Sequence, residues 1–147
     1  MPQPDAAELN LGLLLFIPYR AMESAVMDAL AEEGYPITLA QARVFQRIAP
    51  EGSRLGELAQ AAQLSKQAVT HLVEQLVRAG YVERAADPTD ARARLVTVTD
   101  RGREMVRVST GTVEEIEAAW EAHLGASATR QLRRSLARLR EITDPWA

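Results

Sequence analysis

Residues 65–80 read SKQAVTHLVEQLVRAG. Taken as a helix, the stretch gathers Val69, Leu72, Val73, Leu76 and Val77 into one apolar stripe, the spacing of a helix that packs on a core. Lys66, Gln67, Thr70, His71, Glu74 and Gln75 fall elsewhere around it, and each can donate or accept a hydrogen bond. Ser65 offers an N-cap hydroxyl to an otherwise unpaired backbone N–H, and Gly80 can take the left-handed conformation that closes a helix. The offered side is short-armed, polar and crowded toward the N-terminus, which suits a helix laid in a DNA major groove. An ordinary amphipathic surface helix has the same pattern, so the flanking sequence decides between them.

Upstream, Thr38 and Gln41 form a capping box that opens a helix through about Ile48, with Leu39, Ala42, Val44, Phe45 and Ile48 as its apolar residues. Pro50, Glu51, Gly52 and Ser53 make a turn. A short helix over residues 56–62 follows, with Leu55, Leu58 and Ala59 inward, and Gln63 and Leu64 connect it to the opening stretch. Two short helices joined by such a turn are a helix-turn-helix. Downstream of Gly80 the hydrophobic period switches from 3.6 to 2. Residues 81–84 and 95–99 read as strands, rich in aromatic and β-branched side chains. Between them residues 85–94, with Asp87, Pro88, Thr89, Asp90, Arg92 and Arg94, read as a long basic loop. A helix-turn-helix followed by such a hairpin is a winged helix.

Further out, Met1 to Pro4 reads as a frayed end. Asp5 with Glu8 opens a helical pattern reaching about Glu33, and Pro18 inside it predicts a kink or a break into two helices. At the other end, Thr99 or Asp100 caps a long helix to about His123, with Met105, Val106, Val113, Ile116 and Trp120 on its apolar side. Ser127 caps a last helix through about Ile142, striped by Leu132, Leu136, Leu139 and Ile142. These terminal helices are too long and too apolar on one face to serve only a domain of this size. They could pack on each other within one chain, but paired recognition helices need a two-fold axis, so the expectation is a homodimer.

A chain of 147 residues with 47% hydrophobic side chains predicts one soluble domain, or one compact domain with an extension, large enough for a real core. Its longest uncharged apolar run, residues 11–19, is too short for a membrane span, and no basic region precedes it, so neither a signal peptide nor a membrane partner is expected. Cysteine is absent, which removes disulfides and thiol chemistry and fits a cytoplasmic protein. Net charge is −3, but residues 54–107 carry 9 basic and 7 acidic side chains against 3 and 7 in residues 1–53. A locally positive middle on an acidic body permits nucleic-acid binding.

Residues 55–102, LGELAQAAQLSKQAVTHLVEQLVRAGYVERAADPTDARARLVTVTDRG, closely resemble the winged-helix core of the multiple antibiotic resistance regulator (MarR) family. The resemblance lies in ELA of the first helix, LSKQAVT at the start of the recognition helix, the AGYVER corner, the DPTDAR wing and the VTDRG entry to the next helix. It is specific over about one third of the chain, while the flanking helices agree in order, length and pattern. The resemblance implies a homodimeric transcription regulator, commonly a repressor, on a pseudo-palindromic operator in double-stranded DNA. It also implies release when a small aromatic or phenolic effector enters a cleft between the DNA-binding and dimerisation regions. It assigns DNA contacts to Ser65, Lys66, Gln67, Thr70 and His71. In the wing it sends Arg92 into the minor groove, with Asp90 holding the guanidinium. Physically, Gln67 can read adenine, Thr70 can touch a thymine methyl or a phosphate, and Lys66 can neutralise a phosphate. A narrow A·T-rich minor groove concentrates negative potential, which is why Arg is useful at that tip. Family members often have Arg where this chain has His71, and a second wing Arg where it has Ala91; Arg94 is expected to compensate in part.

Enzymatic chemistry is not expected: there is no phosphate loop, no nucleophile elbow and no Ser-His-Asp ordering. Two histidines and no cysteine make a poor metal site; His123 with Glu117 or Glu121 reads as an exposed helical face, and no cofactor is called for. Phe16, Tyr19, Phe45 and Trp120 are candidates to line an effector pocket, set against the plain reading of aromatics as core. The expected architecture is mainly α. A winged helix-turn-helix occupies residues 37–99, flanked by dimerisation helices in residues 1–36 and 100–147. The expected function is sequence-specific duplex-DNA binding in transcription regulation; the alternative is a winged helix used for protein–protein contact alone.

Overall fold

The computed structural model describes residues 5–144; Met1 to Pro4 lie outside them. Six α-helices and one hairpin follow in the order α1 (Leu11–Glu32), α2 (Leu39–Phe45), α3 (Leu55–Ala62), α4 (Lys66–Arg78), β1 (Val82–Asp87), β2 (Asp90–Val98), α5 (Asp100–Leu124) and α6 (Ala126–Thr143).

The core sits among α2, α3 and α4, closed below by the root of the hairpin and the first turns of α5. Val44, Leu58, Val69, Val73, Leu76, Tyr81 and Val96 are fully buried there, joined by Phe45, Met105 and, from the end of α1, Leu30. The Thr38–Gln41 capping box forms as expected, each partner taking the other's backbone N–H. Leu39, however, points outward, and α2 ends at Phe45 rather than near Ile48. Beyond α2 the chain turns back, and Ser53 exchanges both backbone hydrogen bonds with Val96 (3.0 and 2.8 Å). The hairpin root thus gains a third extended segment that no local pattern announces.

The ends of the chain depart from expectation in three places. Asp5 caps only a short 3₁₀ turn over Ala6–Glu8; α1 begins anew at Asn10, whose side chain accepts from Leu13 N at 2.9 Å. From there α1 runs through Pro18 to Glu32 as a single helix, so of the two expected effects of the proline the break does not occur. Gly125, at φ +88°, is the residue before α6, and Ser127 falls inside the first turn instead of capping it.

Arg101 ties the winged helix to the long helices. Its Nε–H donates to the carbonyl of Ala79, just beyond α4, at 3.2 Å. Its terminal nitrogen donates to Gly34 O, past the end of α1, at 3.3 Å. The guanidinium carbon meanwhile lies 5.2 Å from the Tyr35 ring centre and 5.1 Å from that of Tyr81, close enough for cation–π attraction to both. Tyr81 completes the joint by donating to Pro36 O at 2.8 Å.

Candidate nucleic-acid interface

The helix read first, α4, has the expected frame. Ser65 Oγ accepts from Ala68 N at 3.1 Å, and Gly80 follows the helix at φ +82°. Val69, Val73 and Leu76 are wholly buried and Leu72 partly so. The fifth member of the stripe, Val77, departs from it and is 38% exposed.

Ser65, Lys66, Gln67 and His71 are exposed, and Thr70 is half-buried. The Thr70 hydroxyl donates to Lys66 O at 2.8 Å, so its proton is spent inside the helix while its oxygen can still accept. His71 is not isolated: Gln75 Nε2 lies 3.0 Å from His71 Nε2, and Gln75 Oε1 accepts from Gln41 Nε2 at 2.8 Å. The contact between α2 and α4 therefore carries a polar seam beside the buried stripe.

The wing differs from the expected long loop. Strand pairing extends from Val82↔Val98 to Ala86↔Arg94 and then jumps to Asp87↔Asp90. Only Pro88 and Thr89 remain as the turn, and residues 91–93 bulge out of the ladder. Asp90, Arg92 and Arg94 thus lie on β2, all exposed. The expected Asp90–guanidinium pair is replaced by a hydrogen bond from the Arg92 backbone N–H to Asp90 Oδ1 at 3.0 Å. Among the described residues neither Arg92 nor Arg94 has an ion-pair partner.

What fixes this tip is Asp87. One carboxylate oxygen accepts from the Thr89 backbone N–H (2.8 Å) and hydroxyl (2.7 Å), and the other accepts from Arg54 Nε (2.8 Å). The two Thr89 donors, followed by the Arg54 guanidinium, pull the Asp87 pKa down from its ordinary 3.8 to about 2. The Asp-Pro-Thr spacing is a local sign that the carboxylate would turn back on its own chain. Its partner Arg54, 33 residues earlier, left no sign at all.

Three of the four candidate effector residues meet. Phe16, Tyr19 and Trp120 line an apolar cleft of about 790 Å³ between α1, the end of α5 and α6, together with Met22, His123, Leu132 and Leu136. Phe45 does not join them; it is 9% exposed in the winged-helix core, where the position of α2 sends it. The Tyr19 hydroxyl donates to Glu23 Oε2 at 2.8 Å, and burial, then that carboxylate, raise the phenol's pKa. Glu117, one of the two acidic neighbours weighed with His123, pairs with Arg133 at 3.0 Å instead.

A family model described as MarR family matches residues 35–93. The HTH-type transcriptional repressor Rv2887 of Mycobacterium tuberculosis is 29% identical over 135 residues, spanning 91% of this chain and 96% of its own. The uncharacterized HTH-type transcriptional regulator Mb0904 of Mycobacterium bovis is 32% identical over 105 residues, 71% of this chain and 73% of its own. A crystal structure of MarR matches the fold with a TM-score of 0.73 at 26% identity, covering 92% of this chain and 98% of that one.

Proposed function

The chain belongs to the MarR family of DNA-binding transcription regulators, and on that premise we propose that it is a homodimeric repressor released from its operator by a small aromatic or phenolic effector. One observation carries the reading. The α4 helix buries Val69, Val73 and Leu76 while Lys66, Gln67 and His71 stand in solvent, on the same chain as a wing whose Arg92 and Arg94 are unpaired among the described residues. A helix held rigidly from behind and polar in front can enter a major groove without rearranging, and unpaired guanidinium groups suit the adjacent minor groove.

Residues 37–99 would grip the DNA, with Ser65, Lys66, Gln67, Thr70, His71, Arg92 and Arg94 at the contact and Asp90 shaping the bulge that presents Arg92. The flanking helices would bring two copies together. On α1 and α6, Leu13, Ile17, Leu132, Leu136 and Leu139 are each at least 42% exposed except Leu136 at 40%, more contiguous apolar surface than a lone soluble chain keeps. The Phe16–Tyr19–Trp120 cleft lies within these same helices, so an effector there would act on the angle between the two copies and hence on the spacing of their α4 helices. The repressor reading also draws on the relative Rv2887, whose name carries that activity. No described helix is long and apolar enough to cross a membrane, and we place the protein in the cytoplasm with its DNA.

Selection of bound fragments from a random duplex library tests the whole reading. The expected product is a two-fold repeat with half-sites about 10 bp apart, lost when the right aromatic acid is added. Failure to enrich any sequence would transfer the polar face of α4 to a protein partner.

A further inference from the structure

We propose that a hydrogen-bond relay starting at the α2 capping box fixes the tautomer of His71, and that this tautomer sets the base His71 can read. The proposal rests on the DNA-binding reading above and adds a specificity mechanism to it.

The direction of the relay follows from its first member. The Thr38 backbone N–H can only donate, and it donates to Gln41 Oε1 at 3.1 Å. The Gln41 amide is thereby oriented with its NH₂ group outward, and that group donates to Gln75 Oε1 at 2.8 Å. The Gln75 amide is oriented in turn, so its own NH₂ is what faces His71 Nε2 at 3.0 Å. An amide NH₂ cannot accept, so Nε2 must, and the neutral ring then carries its proton on Nδ1. Flipping either glutamine would set donor against donor, at Thr38 or between the two amides. Among the described residues nothing takes the Nδ1–H.

The consequence lies at the DNA. His71 is exposed on the offered side of α4, and a ring that can only donate there selects an acceptor (guanine N7 or O6, adenine N7, thymine O4 or a phosphate oxygen) and rejects cytosine, whose major-groove edge offers only a donor. The opposite tautomer, common in an unconstrained imidazole, would present an acceptor and favour the amino groups of adenine or cytosine. Gln41 and Gln75 are thus positioning residues, acting on the base through His71. The half-buried Gln41–Gln75 bond ties them to the α2–α4 packing, so the choice is built into the winged helix itself.

Nitrogen-15 NMR of this chain reads the tautomer directly, and with only two histidines in it the signals separate by comparison with His71→Asn. The expected result is a neutral His71 protonated at Nδ1 in the wild type and shifted to the Nε2–H form in Gln75→Leu. In parallel, library selection with both proteins should give the same motif except at one base pair per half-site. Discrimination there should fall about fivefold, the lower end of a base-edge contact. A wild-type His71 protonated at Nε2 overturns the relay even if the selected motif is sharp. An unchanged motif with Gln75→Leu overturns its role in specificity. Failure of the wild type to select any sequence ends the DNA-binding reading and this proposal together, while the NMR result still reports the relay.

Discussion

Arg54 and Asp87 meet at the tip of the wing, with Arg54 Nε 2.8 Å and a terminal guanidinium nitrogen 2.6 Å from the same Asp87 oxygen. The other oxygen is held by Thr89. One carboxylate therefore clamps the two-residue turn to the start of α3, and the wing keeps its shape without help from its exposed strand ends.

That clamp predicts an acid transition. The Asp87 pKa in the folded chain is about 2 against an ordinary 3.8, so its contribution to stability is complete above the higher value and fades as pH falls through the lower one. Thermal melts of Asp87→Asn should lie below wild type at about pH 5 and converge with it near pH 2. A gap that persists unchanged into acid would place the effect in shape rather than charge.

The wing's proposed role is tested by Arg92→Ala. Arg92 lies in the bulge of β2 and makes no ion pair among the described residues, so its removal should leave the melting temperature nearly unchanged. Binding should weaken most on sites with A·T pairs under the wing. The slope of log affinity against log salt should become shallower by about one, as one phosphate-neutralising charge is lost. Anisotropy titrations across a salt series measure both; an unaltered slope and affinity would remove the wing from the contact.

Gly102 is buried in the first turn of α5 for a reason that can be stated in ångströms. A Cβ there would sit 2.3 Å from the Tyr81 carbonyl oxygen and 2.7 Å from Val98 Cγ1. The first of these is backbone, held in place because Thr99 N donates to it at 3.1 Å. Gly102→Ala should therefore cost about 3 kcal/mol, the upper part of the range for overpacking, read as a lower urea midpoint with unchanged slope. An alanine variant as stable as wild type would mean that α5 can slide away from the hairpin root.

The parts of this fold legible in the sequence were those written in local chemistry. Ser65, the Thr38–Gln41 pair and the apolar spacing of α4 each act within one or two turns, and each is where the residues placed it, except Val77 at the end of the stripe. The extent of the wing is not legible because its strands are polar at their outer ends; Asp87 and Asp90, which look like loop residues, face each other as strand partners. What could not be read was contact between distant segments. Ser53 on Val96, Arg54 on Asp87, and Arg101 between Tyr35 and Tyr81 join residues with no mutual signature in spacing or type. The same holds for His71: its position on the helix was evident, its tie through Gln75 to Gln41 was not. Phe45 shows the limit on aromatic residues, since nothing local separates one that fills a core from one that borders a cleft.

The exposed stripe of α6 gives the sharpest test of the proposed dimer. Leu132, Leu136 and Leu139 are 42%, 40% and 45% exposed and Ile142 is 83% exposed, although the helix otherwise carries arginine around its circumference. A helix this charged is soluble by itself, so leucines on one side need a surface to cover them. A symmetric interface would bring each stripe against the other copy, burying every residue of it twice. Leu139 lies on the stripe but does not line the aromatic cleft, so Leu139→Glu places two carboxylates in the interface without touching the effector site. Light scattering at micromolar concentration should show the wild type at twice the chain mass and the variant at the chain mass, with helix content unchanged. Operator affinity should fall with it, because a lone winged helix engages one half-site. A variant that keeps both the doubled mass and its affinity would show that α6 faces water in the assembled protein.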